Sequence, residues 1–348
     1  MSTKFLIVFG TRPELIKLYP VMKELEDFKI LFTGQHKETL DFLGIRPDFS
    51  LEVLQKNQTL NELSAKLFVG IDTALRNINP EFVIVQGDTT SAYVAAVCAY
   101  NLKIKVIHIE AGLRTYDMWN PYPEEFNRVS IDKISSILFV PSKYVKLTLE
   151  QELKFDSDIY VSGNTVIDSC LEFCDIEKKS DYLLDDFVLV TMHRRENFGD
   201  YVYQVISEIK SFSEYTGQKF LIMNHPNGIL EKCYSLFNDK MKLLSPIGYL
   251  DFLDLINNSR FIVTDSGGLQ EEASVLNKIS LCMRERTERV ELVKEGYSFL
   301  IGNSMERFRN YLNKVYNRDI YLQKDISEHP YYVAGGSGKF ICDTLKGL

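Results

Sequence analysis

Short continuous apolar runs alternate with helical periods along the chain. Phe5–Phe9 is such a run, and Gly10 ends it. Behind it Leu15, Ile16, Tyr19, Met22 and Leu25 recur at helical spacing. Lys29–Phe32 reads as the next strand. Leu60, Leu63, Leu67, Ile71 and Leu75 form one stripe of a long helix, which Asn79-Pro80 ends. Phe82–Gln86, Lys105–Ile109 and Ile137–Val140 follow as strands, with helices near 91–101, 123–134 and 143–152. Continuous apolar strands separated by helices predict a parallel sheet covered on both faces.

The pattern then restarts. Ile159–Val161 leads into Ser162-Gly-Asn-Thr165, and the stretch 175–186 is polar, acidic and without a period. Phe187–Thr191 begins a second series, continued by Lys219–Met223, Lys242–Leu244, Phe261–Thr264, Ile279–Met283 and Phe299–Ile301. This predicts two doubly wound α/β domains, over residues 1–165 and 166–328. A tail over 329–348 carries Gly335-Gly-Ser-Gly338 and a short amphipathic helix.

Composition narrows the class. A chain of 348 residues exceeds what one core usually supports, which fits two domains. Apolar residues at 45% and charged residues at 25% exclude a disordered chain or a disulfide scaffold. The net charge of −8 offers no basic surplus for a phosphate polymer, so neither nucleic acid nor a membrane surface is an expected partner. The six cysteines form no Cys-x-x-Cys pair and have no zinc spacing, so reduced thiols in a cytoplasmic protein and no metal site are expected. The apolar run at the N-terminus is too short for a signal peptide and reads as a first strand. No run approaches the length that spans a bilayer.

In doubly wound sheets, ligands bind where loops leave the carboxyl ends of strands. The chemically informative residues of this chain stand there. Gly10-Thr-Arg-Pro-Glu14 follows the first strand, with Pro13 suited to a first helical turn and Arg12 and Lys17 near a helix N-terminus, a natural anion site. There is no Gly-x-Gly-x-x-Gly and no Walker loop, so neither a dinucleotide nor a nucleoside triphosphate is expected, and no cofactor is implied. Asp88, in Gly87-Asp-Thr-Thr90, is either a helix N-cap or a functional carboxylate. Glu110 ends another strand, as a member of a structural Glu–Arg pair or as an acid–base group. Glu124 and Arg128 lie four apart on one helix face, as a surface pair or as part of the same site. Carboxylates converging beside cations suit acid–base chemistry on an anionic substrate.

The second half adds Met192-His-Arg-Arg-Glu-Asn197, where His193 with Arg194 and Arg195 at a strand exit favours phosphate. Ser266-Gly-Gly268 opens a helix and reads as a phosphate cradle of bare backbone amides, with Glu272 further along that helix placed for ribose hydroxyls. Arg289 falls in a charge run that could equally be a solvated face.

Taken in order, Gly-Thr-Arg-Pro-Glu (10–14), Gly-Asp-Thr-Thr (87–90), His-Ile-Glu-Ala-Gly-Leu-Arg (108–114), Pro-Glu-Glu-Phe-Asn-Arg (123–128), Gly-Asn-Thr-Val-Ile-Asp (163–168), His-Arg-Arg-Glu-Asn (193–197) and Thr-Asp-Ser-Gly-Gly-Leu-Gln-Glu-Glu (264–272) resemble the non-hydrolysing UDP-N-acetylglucosamine 2-epimerases over nearly the whole chain. The resemblance implies a GT-B-type fold of two Rossmann-like domains with the nucleotide sugar in the interdomain cleft, and a C-terminal helix crossing back to the first domain. It implies that Arg12, His193 and the Ser266, Gly267 and Gly268 backbone hold the diphosphate, and that Glu272 takes the ribose. Phe252 stacks on uracil, the backbone near Ile247 reads the base edge, and Lys17, Arg128 and Arg289 line the sugar phosphate. Asp88, Glu110 and Glu124 are then the acid–base candidates, a catalytic set that His193 completes.

The expected activity is reversible epimerisation at carbon 2 of UDP-N-acetylglucosamine through a 2-acetamidoglucal, feeding surface polysaccharide synthesis, in a homodimer. The alternatives are an epimerase of a modified UDP-2-acetamido sugar, a hydrolysing epimerase, a glycosyltransferase of the same fold or a silent UDP-sugar sensor. A second, activating nucleotide-sugar site would draw on Gln35, His36, Gln58, Arg194 and Arg195, which are otherwise ordinary polar loop residues.

Overall fold

A computed structural model describes residues 3–35, 43–55, 57–153, 156–174, 184–192, 199–224 and 230–348. Two compact units emerge: Met1–Ser169 together with Tyr331–Leu348, and Cys170–Pro330.

The first unit runs β1 (Phe5–Phe9), α1 (Arg12–Glu24), β2 (Phe28–Phe32), β3 (Phe49–Ser50), α2 (Leu60–Ile78), β4 (Phe82–Gln86), α3 (Thr90–Asn101), β5 (Lys105–Ile109), α4 (Glu124–Ile134), β6 (Ile137–Val140), α5 (Lys143–Glu152) and β7 (Asp158–Val161). Its seven strands are all parallel, in the order β3-β2-β1-β4-β5-β6-β7. Every residue of β1, β4 and β6 is buried, which is why these strands read as continuous apolar runs. Alternation sorts them between two cores. Leu6 and Val8 face Leu67, Ile71 and Leu75 of α2 together with α3, while Phe5, Ile7 and Phe9 face Leu15 and Leu18 of α1. Asn79 caps α2 in the left-handed region at φ 48°, a conformation Asn tolerates. Strand β3 escapes the sequence pattern because it is two exposed residues long, paired to Leu31 and Phe32.

Helix α6 (Thr165–Cys174) contains the division between the units. The second unit continues with β8 (Phe187–Thr191), α7 (Asp200–Thr216), β9 (Lys219–Met223), β10 (Met241–Leu244), α8 (Tyr249–Asn258), β11 (Ile262–Thr264), α9 (Gly267–Val275), β12 (Ser280–Cys282), α10 (Val290–Lys294), β13 (Ser298–Leu300) and α11 (Met305–Tyr316). Its six parallel strands lie in the order β10-β9-β8-β11-β12-β13. Val188 and Val190 pack against Val202, Val205, Ile206 and Ile209 of α7 and against Phe308 and Leu312 of α11.

The tail forms α12 (Ser337–Lys346), whose Ile341, Cys342 and Leu345 are fully buried in the core that also holds Leu15, Leu18 and Val21 of α1. Asp168 accepts the backbone N–H groups of Ser337 (3.1 Å) and Gly338 (2.7 Å), fixing the start of the helix. Gly338 lies so close to Pro20 that a Cβ there would sit 2.7 Å from its backbone, so only glycine lets the helices approach. Among the described residues no helix is long and apolar enough to cross a membrane, and all six cysteines are free.

Because α12 completes the first unit's core, Ile341→Ala should cost about 2–5 kcal/mol. Chemical denaturation followed by a probe in the first unit should show the loss. An unchanged midpoint would mean that the tail contributes no core packing.

Candidate active site

Both sheets reverse their winding at one point, between β1 and β4 in the first and between β8 and β11 in the second. The loops leaving those strands diverge to opposite faces and open a crevice. In the first unit the loops are Gly10–Thr11 and Gly87–Thr89. They are tied together by Glu14, which is 1% exposed. One of its oxygens accepts from Gly10 N (3.1 Å), Thr11 N (2.8 Å) and Thr11 Oγ1 (2.7 Å), and the other accepts from Thr89 Oγ1 (2.8 Å). Thr89 is itself the N-cap of α3, its side chain taking the Ala92 N–H. The N-cap alternative for Asp88 is therefore wrong by one residue. Pro13 stands in the first turn of α1, as its fixed φ favours.

Asp88 instead faces α4. Arg128 donates to its Oδ2 through Nε at 2.9 Å and through Nη2. Asn127 donates to the Asp88 carbonyl at 2.8 Å. Arg128 also reaches Glu125 (3.3 Å), three residues back on its own helix, so Glu125 shares the role that spacing alone suggested for Glu124. Glu125 is buried because it accepts Thr115 N (2.8 Å) and Tyr116 N (2.9 Å) as well. Glu124 is half-buried at the first position of α4. Glu110 sits at φ 65° immediately beyond β5 and takes the Lys17 ammonium on both oxygens at 2.7 Å, with Gln86 donating to one of them. Its cation is thus a lysine from α1. Arg114, the arginine of the same motif, turns to Asp132 (2.7 Å) and Glu152 (2.9 Å). Arg12 is exposed and has no partner among the described residues.

In the second unit Ser266 N-caps α9, and the N–H groups of Gly267 and Gly268 open the helix. The two glycines differ in their surroundings. A Cβ on Gly267 would lie 2.7 Å from Arg289 Nη1, whereas one on Gly268 would meet nothing nearer among the described residues than the Ser266 hydroxyl at 4.0 Å. Gly267 makes room for the Arg289 side chain. Arg289 is held by Glu271 (3.0 Å) and by Glu288, which also takes Arg284 (3.0 Å). Glu272, in the second turn of α9, accepts the Tyr249 hydroxyl at 2.8 Å. Burial and the Glu272 charge push Tyr249 well above its ordinary range, so it remains a donor. Phe252 is half-buried near the start of α8, and Ile247, also half-buried, precedes the Gly248 N-cap.

His193, Arg194, Arg195 and His36 lie outside the described residues. Gln35 accepts the Ser91 hydroxyl (2.8 Å), and Gln58 accepts the Gln55 N–H (3.0 Å). No group of three or more His, Cys, Asp or Glu side chains suited to a metal occurs among the described residues.

Sequence reasoning passed over Glu14, Gln86, Glu125, Asp132 and Tyr249. Only Glu14 carried a readable signal: Thr11-x-x-Glu14 is a capping box, and both of its reciprocal bonds are present. The others act through partners more than eight residues away, apart from the pairing of Glu125 with Arg128.

The sequence model of the UDP-N-acetylglucosamine 2-epimerase family matches residues 22–346. The chain is 37% identical to the UDP-N-acetylglucosamine 2-epimerase of Campylobacter jejuni, over 100% of this chain and 98% of that protein. It superposes on the Neisseria meningitidis UDP-GlcNAc 2-epimerase bound to UDP-GlcNAc with a TM-score of 0.90 at 33% identity, covering 99% and 100% of the two chains. The Methanocaldococcus jannaschii enzyme in complex with UDP-GlcNAc and UDP gives 0.86 at 34% identity, with coverage of 99% and 100%. The chain belongs to the UDP-N-acetylglucosamine 2-epimerase family, and its two Rossmann-like units follow the GT-B-type pattern.

Burial lifts the Glu14 carboxyl from 4.5 to about 7, against the downward pull of hydrogen bonds from Thr11, Thr89 and Gly10. The folded protein keeps this proton where the unfolded chain has lost it. Glu14 therefore contributes stability that is full below pH 4.5 and lost as the pH rises through about 7, a change on the order of 3 kcal/mol. Glu14→Gln cannot ionise and should lack that slope. Thermal denaturation of both proteins from pH 4.5 to 7.5 checks this, and parallel curves would remove Glu14 as the source.

Proposed function

We propose that this family member interconverts UDP-N-acetylglucosamine and UDP-N-acetylmannosamine without hydrolysis, by eliminating and re-adding UDP. The observation that carries the reading is the pair of ion-paired carboxylates at neighbouring strand exits of the first unit, Asp88 after β4 with Arg128 and Glu110 after β5 with Lys17. An amide cradle, Ser266–Gly268, stands at the second unit's switch point. Relatives whose structures hold UDP-GlcNAc cover 99% of the chain, which supports the same substrate here.

The hydrogen on carbon 2 has no adjacent carbonyl to acidify it, so its direct removal is prohibitive. Breaking the bond between carbon 1 and the diphosphate oxygen, with the electron pair leaving on UDP, makes carbon 1 cationic and that hydrogen acidic. A carboxylate takes the proton and 2-acetamidoglucal forms. Protonation of carbon 2 on the other face and return of UDP to carbon 1 give the epimer. Asp88, Glu110 and Glu124 share the proton transfers, each worth about 10²–10⁴-fold. Arg12, His193 and the Ser266–Gly268 amides stabilise the departing diphosphate, aided by Lys17, Arg128 and Arg289. Glu272 takes the ribose hydroxyls, Phe252 stacks on the base, and the backbone at Ile247 reads its edge. The product supplies N-acetylmannosamine units for surface polysaccharide.

In deuterated water, proton NMR should show epimer carrying deuterium at carbon 2. Oxygen-18 in the sugar–phosphate bridge should scramble into non-bridging positions. Full retention of the bridge label through repeated turnovers would eliminate this route, and free sugar with UDP would indicate hydrolysis.

The roles separate by variant. Asp88→Asn and Glu124→Gln should each lose about 10²–10⁴-fold in turnover while calorimetry still registers UDP binding. Arg12→Ala should weaken both. Loss of UDP binding in Asp88→Asn would assign Asp88 to the nucleotide instead of to the proton.

A further inference from the structure

His108 lies on β5 with its side chain wholly buried. Both ring nitrogens have partners: Nδ1 is 2.7 Å from Asp132 Oδ1, and Nε2 is 2.8 Å from the Gly87 carbonyl oxygen. A carbonyl oxygen can only accept, so Nε2 must carry a proton. Asp132 accepts from Gly112 N (3.1 Å) and from Arg114 Nη1 (2.7 Å) on its other oxygen. The Arg114 guanidinium on that oxygen favours the ionised form, and the carboxyl is held below its usual value against burial. Asp132 is therefore a carboxylate that only accepts, and Nδ1 must carry a proton too. Turning the ring over would place carbon atoms at both contacts. A neutral ring has one N–H and cannot satisfy both partners.

The charge is compensated where it stands. His108, Asp132, Arg114 and Glu152 form an alternating chain of cations and anions, which a buried ionised group requires. The purpose lies at the other end of the ring. Gly87 turns the chain at φ 66°, its N–H donates to Ile109 O (3.0 Å), and its carbonyl takes the charged donor from His108. The next carbonyl, that of Asp88, takes Asn127, and the Asp88 carboxylate takes Arg128. The turn is thus held at four polar atoms, one of them bonded to a ring that is itself wholly buried.

We infer that His108 is a buried imidazolium that acts as a positioning residue, clamping the Gly87 carbonyl so that the peptide carrying Asp88 is fixed before substrate arrives. The inference deepens the epimerase reading, on which its kinetic arm rests, while its spectroscopic arm needs no turnover. His329 provides the internal contrast: burial lowers it to about 4, its Nε2 meets the Ser274 hydroxyl at 2.8 Å, and it is a neutral ring.

Two measurements decide the matter. Proton–nitrogen correlation spectra of the full-length protein with labelled histidine, at neutral pH and without ligand, should show one ring protonated at both nitrogens. Its signal should vanish in His108→Gln. If that variant does not fold, the signal is assigned by its persistence when the other four histidines are replaced in turn. A His108 ring with a single N–H overturns the inference. In the epimerase assay His108→Gln, which can donate at one end only, should lose roughly 10–100-fold in kcat. KM and UDP affinity should stay within about twofold, because the nucleotide groups are untouched. A fall in UDP affinity as large as that in kcat, or an unchanged kcat, overturns the positioning role. Absence of turnover in the native protein would instead count against the epimerase reading and leave the spectroscopic result standing.

Discussion

A buried carboxylate must meet a cation or several donors, or it does not stay ionised. This requirement organises both strand-exit regions of the protein. Lys17 with Glu110, Arg128 with Asp88, and His108 and Arg114 with Asp132 all join separate segments of the first unit. Arg289 with Glu271 does the same in the second. Removing one member of such a pair commonly costs about 3–5 kcal/mol, because the other is left buried and alone. A carboxylate already paired and oriented need not reorganise when charge develops on a substrate.

The topology explains why these groups meet. Parallel strands send every loop out of the same sheet edge, and the change of winding between β1 and β4 sends the loops there to opposite faces. Glu14 ties those loops together by binding Gly10 and Thr11 on one side and Thr89 on the other. Arg12 and Asp88, each within two residues of a tethered atom, are thereby placed by backbone that cannot drift. In the second unit Gly267 performs a steric version of the same task, admitting the Arg289 guanidinium against the start of α9.

Core, class and family were legible in the amino-acid order alone. Strands buried on both faces read as continuous apolar runs, as β1 and β6 do, and helices buried on one face must repeat with their own period, as α2 does. Those constraints act locally, so residues near in sequence reveal them. Motifs such as Gly-Asp-Thr-Thr and Ser-Gly-Gly at strand exits were visible for the same reason. Partner choice was not legible, because it depends on distance in space. Nothing near Glu110 in sequence points to Lys17, 93 residues away, and nothing near His108 points to a carbonyl 21 residues back. Spacing pointed Arg128 to Glu124; that the fold brings it Asp88, 40 residues back, was not visible in the order of residues. The sequence by itself determined which residues are buried, where strands end and which chemistry collects there. Only the tertiary structure decided which charge neutralises which, because a desolvated ion takes the partner that packing brings within about 3 Å, whatever their separation along the chain.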